Sequence, residues 1–229
     1  MIDKILRYCH KTWQWHIHGR NLGRFRTQEQ LEAFVRRTGC APDLVRMWKE
    51  LSDRSRVEAR KIVEFYEQRI VGKRVLDVGP GYGDFLDVCL EHDASTVGVD
   101  YDPFVVRWLQ LRGHLAFKAN FLKSLRPLNG NLFDFVYLRA SIVAEYFHLT
   151  GQGHLRRFLQ RLEGVGAPGA LVVICPYFEL RLPERVRRTP DPRNCPFTSG
   201  MQACGYAILE DGIFQTGDPV VPLTFGKAL

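Results

Sequence analysis

No stretch of this 229-residue sequence approaches the run of about 20 apolar residues that a membrane-spanning helix needs. The first residues, MIDKILRYCHKTWQWH, are too polar for a secretory signal peptide. Internal repeats and low-complexity tracts are also absent. These absences exclude a membrane-spanning protein and predict a globular protein of the cytoplasm.

Closely spaced cysteine pairs are missing as well. The six cysteines are scattered along the chain with no C-x-x-C pair among them: Cys9, Cys40, Cys89, Cys175, Cys195 and Cys204. This pattern predicts reduced, mostly buried thiols rather than a disulfide framework. His10, His16 and His18 lie near Cys9, but no pair among them has a common zinc spacing, so we expect no metal site.

Positive charge is abundant and unevenly distributed. The net charge is +7, and residues 1–74 carry 17 Lys and Arg against 9 Asp and Glu. One interpretation is a set of solvated helix faces. The alternative is a surface that attracts an anionic partner.

Apolar periodicity divides the chain into a helical part and an alternating part. A helix is predicted over residues 27–39 with Thr27 and Gln30 as its capping box, and two further helices follow, the second capped by Ser55 and Glu58. From residue 73, near-continuous apolar strands alternate with helices, as in a parallel sheet covered on both faces. Five such strands and a terminal β pair predict an α/β fold. We expect a doubly wound, mostly parallel seven-stranded sheet.

The segment VLDVGPGYGDFLDVCL, residues 75–90, leaves a buried strand through three glycines and continues as a helix. In doubly wound sheets, ligands bind outside the carboxyl ends of the strands, and glycines let the backbone approach them. The next strand ends at Asp100, where a carboxylate can accept two hydrogen bonds from a ribose diol. A nucleoside-containing ligand is therefore expected. A nicotinamide cofactor is disfavoured, because the third glycine of its motif would stand at Asp84.

These residues resemble the motifs of class I S-adenosylmethionine-dependent methyltransferases, a Rossmann-like family. VLDVGPGYGDF is similar to their first motif and VGVDYDP to the acidic second. LAFKANFL is similar to the loop that contacts adenine, and LFDFVYLRASI to the fourth strand. The resemblance covers about residues 57–229 and implies an enzyme that uses S-adenosylmethionine as its cofactor.

The resemblance also implies which residues bind that cofactor: Asp77, Gly79, Gly81, Gly83, Asp100, Tyr101, Asn120, Phe121 and Arg139. The glycines would pack against the methionine moiety and begin the helix, while the Asp77 side chain and the Arg139 backbone would lie at the amino-acid end. Asp100 would take the ribose hydroxyls and Tyr101 would flank the adenine. Asn120 and the N–H of Phe121 would contact the adenine edge.

The class of methyl acceptor is narrowed mainly by motifs that the sequence does not contain. The fourth strand ends in LRAS rather than in the Asn/Asp-Pro-Pro-aromatic sequence of base-directed amino methyltransferases, and no acidic triad for Mg²⁺ is visible. A small-molecule, sugar or lipid-linked acceptor remains, with an oxygen nucleophile and an anionic group favoured. The arginines after the fifth strand, within residues 181–193, could pair with such a group. Nucleic acid is the less favoured partner.

An oxygen nucleophile needs a general base. His148 and Glu145, three residues apart after the fourth strand, are the candidates for catalysis, although His148 could equally be a packing or surface residue. Residues 1–56 are expected to form a helical cover, and residues 57–229 the Rossmann-like domain. The alternative function is that of a non-catalytic or RNA-associated member of the same fold, which binds through its basic N-terminal surface.

Overall fold

The computed structural model describes residues 13, 16–50, 52–128, 130–139, 152–175, 196–209 and 223–227. No helix within these ranges is long and apolar enough to cross a membrane. Cys40, Cys89 and Cys204, whose side chains the structure describes, are free thiols.

The N-terminal part is helical. A 3₁₀ helix over Gly19–Arg24 is followed by α1 (Gln28–Thr38), α2 (Pro42–Glu50), α3 (Ser52–Phe65) and the short α4 (Glu67–Ile70). The predicted start of α1 is confirmed, because the Thr27 hydroxyl accepts the Gln30 N–H at 3.3 Å. Gly39 ends this helix in the left-handed conformation, with a φ of 63°.

The predicted cap at Ser55 is wrong. Helix α3 begins at Ser52, so Ser55 lies within the helix rather than at its start, and its side chain is hydrogen-bonded to Asp84. The helix also stops at Phe65 rather than continuing to about residue 72. The break falls at Tyr66, whose buried ring packs edge-on against Phe135 at 5.5 Å between centroids.

Seven strands form a single sheet within the described residues. The alternating elements are β1 (Arg74–Val78), α5 (Asp84–Glu91), β2 (Ser95–Asp100), α6 (Pro103–Leu111), β3 (Ala116–Lys118), β4 (Phe133–Arg139), α7 (Gln152–Val165), β5 (Gly166–Cys175), α8 (Pro196–Ala203), β6 (Tyr206–Ile208) and β7 (Leu223–Lys227). The strand order is β3-β2-β1-β4-β5-β7-β6. The first five strands are parallel, and β7 is antiparallel to both β5 and β6. The predicted fold class is confirmed.

The strand order reverses between β1 and β4. The chain runs outward from β1 to β2 and β3, then returns across the sheet to β4 on the other side of β1. Parallel strands bring their carboxyl ends to one edge, so β1, β2 and β4 end together there. This reversal places the glycine turn after β1 at the edge where doubly wound sheets bind ligands.

Alternating side chains fill the two sides of the sheet. Leu76 and Val78 of β1 face a core that includes Phe158 and Leu162 of α7. Val75 faces the opposite core, formed mainly with α3, α4 and α5. A third cluster joins α1, α2 and α6, so the N-terminal helices pack on a helix of the sheet domain.

Candidate functional site

The turn after β1 requires glycine for conformational reasons. Gly79, Gly81 and Gly83 have φ values of 78°, 55° and 96°, a region that side-chain-bearing residues rarely adopt. The Gly79 N–H donates to the Val99 carbonyl at 2.8 Å, which fixes the turn to the end of β2. Residues 79–83 are called the glycine turn below.

Two of these glycines also lie close to side chains. A Cβ at Gly83 would stand 2.6 Å from Leu109 Cδ2 of α6, and one at Gly81 would stand 3.2 Å from Met47 Sδ of α2. Packing against α6 therefore also disfavours a side chain at Gly83, in addition to its positive φ. Gly81 lies under the N-terminal helices, so the glycine turn is in contact with the proposed cover.

Asp100 stands at the end of β2, next to the glycine turn. Its side chain is buried, with 9 % of the residue exposed, and its Oδ1 accepts the Asp102 N–H at 2.8 Å. Asp102 in turn caps α6 by accepting the Phe104 N–H at 2.9 Å. The first of these bonds restrains the orientation of the Asp100 carboxylate, and the second restrains that of Asp102. Tyr101, between the two acids, is 50 % exposed.

The segment after β3 approaches the same edge. The Ala119 N–H donates to the Asp100 carbonyl at 2.9 Å, which brings Asn120 and Phe121 beside the end of β2. Asn120 is exposed, and its Oδ1 accepts the Leu122 N–H at 3.1 Å. Phe121 is 5 % exposed and packs against Phe158 at 5.7 Å between ring centroids.

Asp77 lies within β1, one residue before its end. It is 1 % exposed and faces the core between the sheet and helices α3 to α5. Burial, and secondarily the Asp77 carboxylate, raises the pKa of the Cys89 thiol well above its usual range. Cys89 is therefore an unreactive core thiol.

Arg139 ends β4, paired in register with Cys175 of β5, so its backbone reaches the same edge of the sheet as Asp100. The candidate catalytic residues His148 and Glu145 lie outside the described residues, as do the arginines between 181 and 193. The structure thus brings together Asp77, the glycine turn, Asp100, Asn120, Phe121 and the backbone of Arg139.

No pattern in the sequence predicted the contacts of several residues at this edge of the sheet. Arg112, which follows α6, donates to the Tyr82 carbonyl and to the Asp87 carboxylate. Met47 contacts Gly81, and the Trp48 and Tyr82 rings lie 5.0 and 5.4 Å from Trp108. Such contacts join residues that are far apart in the chain, so no local sequence pattern predicts them.

Two carboxyls of α5 have shifted pKa values of opposite sign. Burial raises the pKa of Asp84, although its hydrogen bond to Ser55 partly offsets this effect. Burial also acts to raise the pKa of Asp87, but His114 and the neighbouring arginines outweigh it and hold that pKa below its usual range. Asp87 is thus held ionised next to the glycine turn.

Comparisons with known proteins agree with this geometry. A family model described as a methyltransferase domain matches residues 47–198. No curated protein sequence matches the chain significantly.

Three solved structures that share this fold are methyltransferases with low sequence identity to the chain. N-methyltransferase NodS from Bradyrhizobium japonicum WM9 is 14 % identical, with a TM-score of 0.54 over 79 % of this chain and 99 % of that one. A TehB-like SAM-dependent methyltransferase from Corynebacterium glutamicum is 13 % identical, with a TM-score of 0.55 over 88 % and 99 %. A SAM-dependent methyltransferase from Aquifex aeolicus is 21 % identical, with a TM-score of 0.52 over 78 % and 95 %.

Proposed function

The chain belongs to the methyltransferase-domain family and is an enzyme that uses S-adenosylmethionine as its methyl donor; from this premise we propose that it methylates a small-molecule, sugar or lipid-linked acceptor. We further propose that the methyl group goes to an oxygen atom and that the acceptor carries an anionic group. The proposed cofactor site is carried by the Gly79 to Val99 hydrogen bond, which holds the glycine turn beside Asp100. The proposed anionic acceptor is carried by the excess of basic residues in the N-terminal part of the chain.

The cofactor site is proposed to lie along the ends of β1, β2, β3 and β4. The fit is tested on the turn itself. Gly79, Gly81 and Gly83 have positive φ values and no Cβ atoms at the strand end, and a buried carboxylate, Asp100, ends the neighbouring strand. Gly79 and Gly81 would face the methionine moiety, with Gly83 starting α5, whose N-terminal N–H groups favour anionic groups. The Asp77 side chain and the Arg139 backbone would bind the amino-acid end.

Asp100 would hold the ribose through its remaining acceptor positions, since Oδ1 already accepts one N–H from Asp102. Tyr101 would cover one face of the adenine, and Asn120 and the Phe121 N–H would bind its edge. S-adenosylmethionine supplies a methyl group activated by its sulfonium. Because the cofactor brings the electrophile, the protein has to align the acceptor, exclude water and remove one proton.

Residues 1–56 are proposed to cover the acceptor side of this site, with residues 57–229 as the Rossmann-like domain. Helix α2 supports the assignment, because Met47 contacts Gly81 and Trp48 packs against Trp108 of α6. The excess of basic residues in this part of the chain favours an anionic acceptor. The arginines of residues 181–193 are proposed to assist, since their segment follows β5 on the ligand side.

Proton removal is assigned to His148, with Glu145 as its neighbour. The chain leaves β4 at Arg139, on the strand next to β1, so residues that follow it start from the proposed cofactor site. His148→Ala is expected to lower turnover about 10²-fold or more with cofactor affinity unchanged, because a general base contributes roughly 10²- to 10⁴-fold.

The acceptor class can be tested by offering the enzyme a labelled methyl donor together with fractionated extract. The proposal expects label in small, anionic or glycan-containing compounds, in linkages with the stability of a methyl ether or ester. An Asp100→Ala enzyme serves as the control for background transfer. Label found only in RNA or protein, or on amino groups, would contradict the proposed acceptor.

A further inference from the structure

A cluster of charged and polar side chains supports the glycine turn from the side of α6. It consists of Asp87 on α5, Arg112 and His114 after α6, and Arg56 on α3, and it is called the turn clamp below. Its members come from three segments that lie far apart in the sequence. The proposed function of the site does not use any of them.

Arg112 makes the contacts that reach the turn. Its Nη1 donates to the Tyr82 carbonyl within the glycine turn, and its Nη2 donates to Asp87 Oδ2. Its guanidinium carbon also lies 4.9 Å from the centroid of the Tyr82 ring. One planar fork thus connects the turn to the first part of α5, and a point charge such as Lys cannot reproduce that geometry.

Asp87 is the anchor of the clamp. Its Oδ1 lies 3.0 Å from Nε2 of His114, whose side chain is 3 % exposed. Its Oδ2 lies 3.3 Å from Nη1 of Arg56. The Asp87 N–H donates to the Gly83 carbonyl at 3.0 Å. The same residue therefore holds the end of the turn through its backbone and Arg112 through its carboxylate.

The clamp lies directly against the turn. A Cβ at Gly83 would stand 3.4 Å from Arg112 Nη1 and 3.5 Å from His114 Nε2. On its other side, the turn is tied to β2 through Gly79. The turn is consequently held at both ends, although its backbone is rich in glycine and would be mobile if left alone.

We propose that Arg112 is a positioning residue for the cofactor, which keeps the glycine turn in its binding conformation before the cofactor arrives. The proposal rests on the proposed function of that turn. A turn that is already ordered loses less conformational entropy when the cofactor binds, and the cofactor therefore binds more tightly. Arg112 acts through the Tyr82 carbonyl and ring and through Asp87, without touching the cofactor itself.

The experiment is a calorimetric titration of S-adenosylhomocysteine into the wild type, Arg112→Met, Arg112→Lys and Arg107→Met. Arg107 is the matched control: it lies on α6, just before Arg112, and its guanidinium also donates to a backbone carbonyl, that of Phe25. We expect Arg112→Met to weaken binding about 10- to 100-fold, from the loss of charged hydrogen bonds. Arg112→Lys should fall between it and the wild type, and Arg107→Met should stay within about twofold.

Thermal unfolding without ligand, and amide exchange at Tyr82 and Gly83, separate positioning from general stability. The inference expects faster exchange at these two amides in Arg112→Met than in Arg107→Met at matched stability. If Arg112→Met does not fold, Arg112→Lys decides the question. Wild-type affinity in the folded Arg112 variants, or an equal loss in Arg107→Met, would overturn the inference. Failure of the wild type itself to bind would overturn the proposed cofactor site.

Discussion

Two glycines with positive φ values, Gly83 in the glycine turn and Gly113 after α6, differ in their surroundings. Gly83 has a φ of 96°, and a Cβ there would collide with Leu109 at 2.6 Å. Gly113 has a φ of 87°, yet a Cβ there would meet nothing within 4 Å. Replacing each glycine by alanine therefore separates the destabilisation caused by the left-handed backbone from the destabilisation caused by steric overlap.

Replacing Gly83 by Ala is expected to destabilise the protein by about 3 kcal/mol, and replacing Gly113 by Ala by about 1–2 kcal/mol. The left-handed conformation costs a side-chain-bearing residue roughly 1–2 kcal/mol, and overpacking adds about 1–3 kcal/mol. Urea denaturation of both variants provides the measurement. Equal losses of unfolding free energy would show that the packing of Gly83 against α6 is not as described.

The sequence predicted those residues whose role depends on near neighbours. The Thr27 cap and the passage from a strand through three glycines into a helix follow from contacts within a few residues, and the structure has both. Ser55 was mistaken for a cap because its partner, Asp84, comes from another helix. Arg112 could not be predicted at all, since Tyr82 and Asp87 are brought to it only by the packing of α5 on α6.

At the scale of elements, the turn clamp joins α3, α5 and α6 through the ionised Asp87. Because its pKa is lowered in the folded protein, Asp87 contributes stability that is fully present above its unfolded value of about 3.9. That contribution is lost as the pH falls through the lower, folded pKa. A pH dependence in this direction is usual for a carboxylate that interacts with cationic side chains.

Asp87→Asn is expected to cost about 2 kcal/mol at neutral pH, as for a lost hydrogen bond to a charged group. The difference from the wild type should shrink as the pH falls below about 4, where the wild type loses the same contribution. Urea denaturation across this range measures both curves. Asp93→Asn, an exposed change just beyond the same helix, is the control for removal of a negative charge. If the unfolding free energies of the wild type and Asp87→Asn differed by the same amount down to low pH, the stabilising role of the Asp87 carboxylate would be contradicted.

At the scale of the whole molecule, the N-terminal helices and the sheet domain share a core. Leu31 and Leu44 are buried in the same cluster as Phe104 and Leu109. The strand pattern was sufficient to predict the seven-stranded sheet. The sequence did not predict that α2 packs on the glycine turn. The pattern of an amphipathic helix indicates which face is buried, but not which element that face packs against.

Limited proteolysis tests whether residues 1–56 act as a cover. Cleavage near Gly19 or Gly23 is expected to slow severalfold when S-adenosylhomocysteine is bound, because closure over the site protects the segment. The time course of cleavage with and without ligand is the measurement. Release of this segment as a stable folded fragment would contradict the proposal, as would unchanged acceptor turnover and stability after its removal.

The central claim is that the glycine turn and Asp100 together bind the cofactor, and calorimetric titration with S-adenosylhomocysteine tests it most directly. Asp100→Asn keeps an oxygen for the Asp102 N–H but loses the carboxylate, whereas Asp102→Ala removes only the cap of α6. The account predicts binding to the wild type, a loss of about tenfold or more in Asp100→Asn, and near wild-type affinity in Asp102→Ala. No heat from the wild type at millimolar ligand, or equal affinities for the wild type and Asp100→Asn, would contradict it.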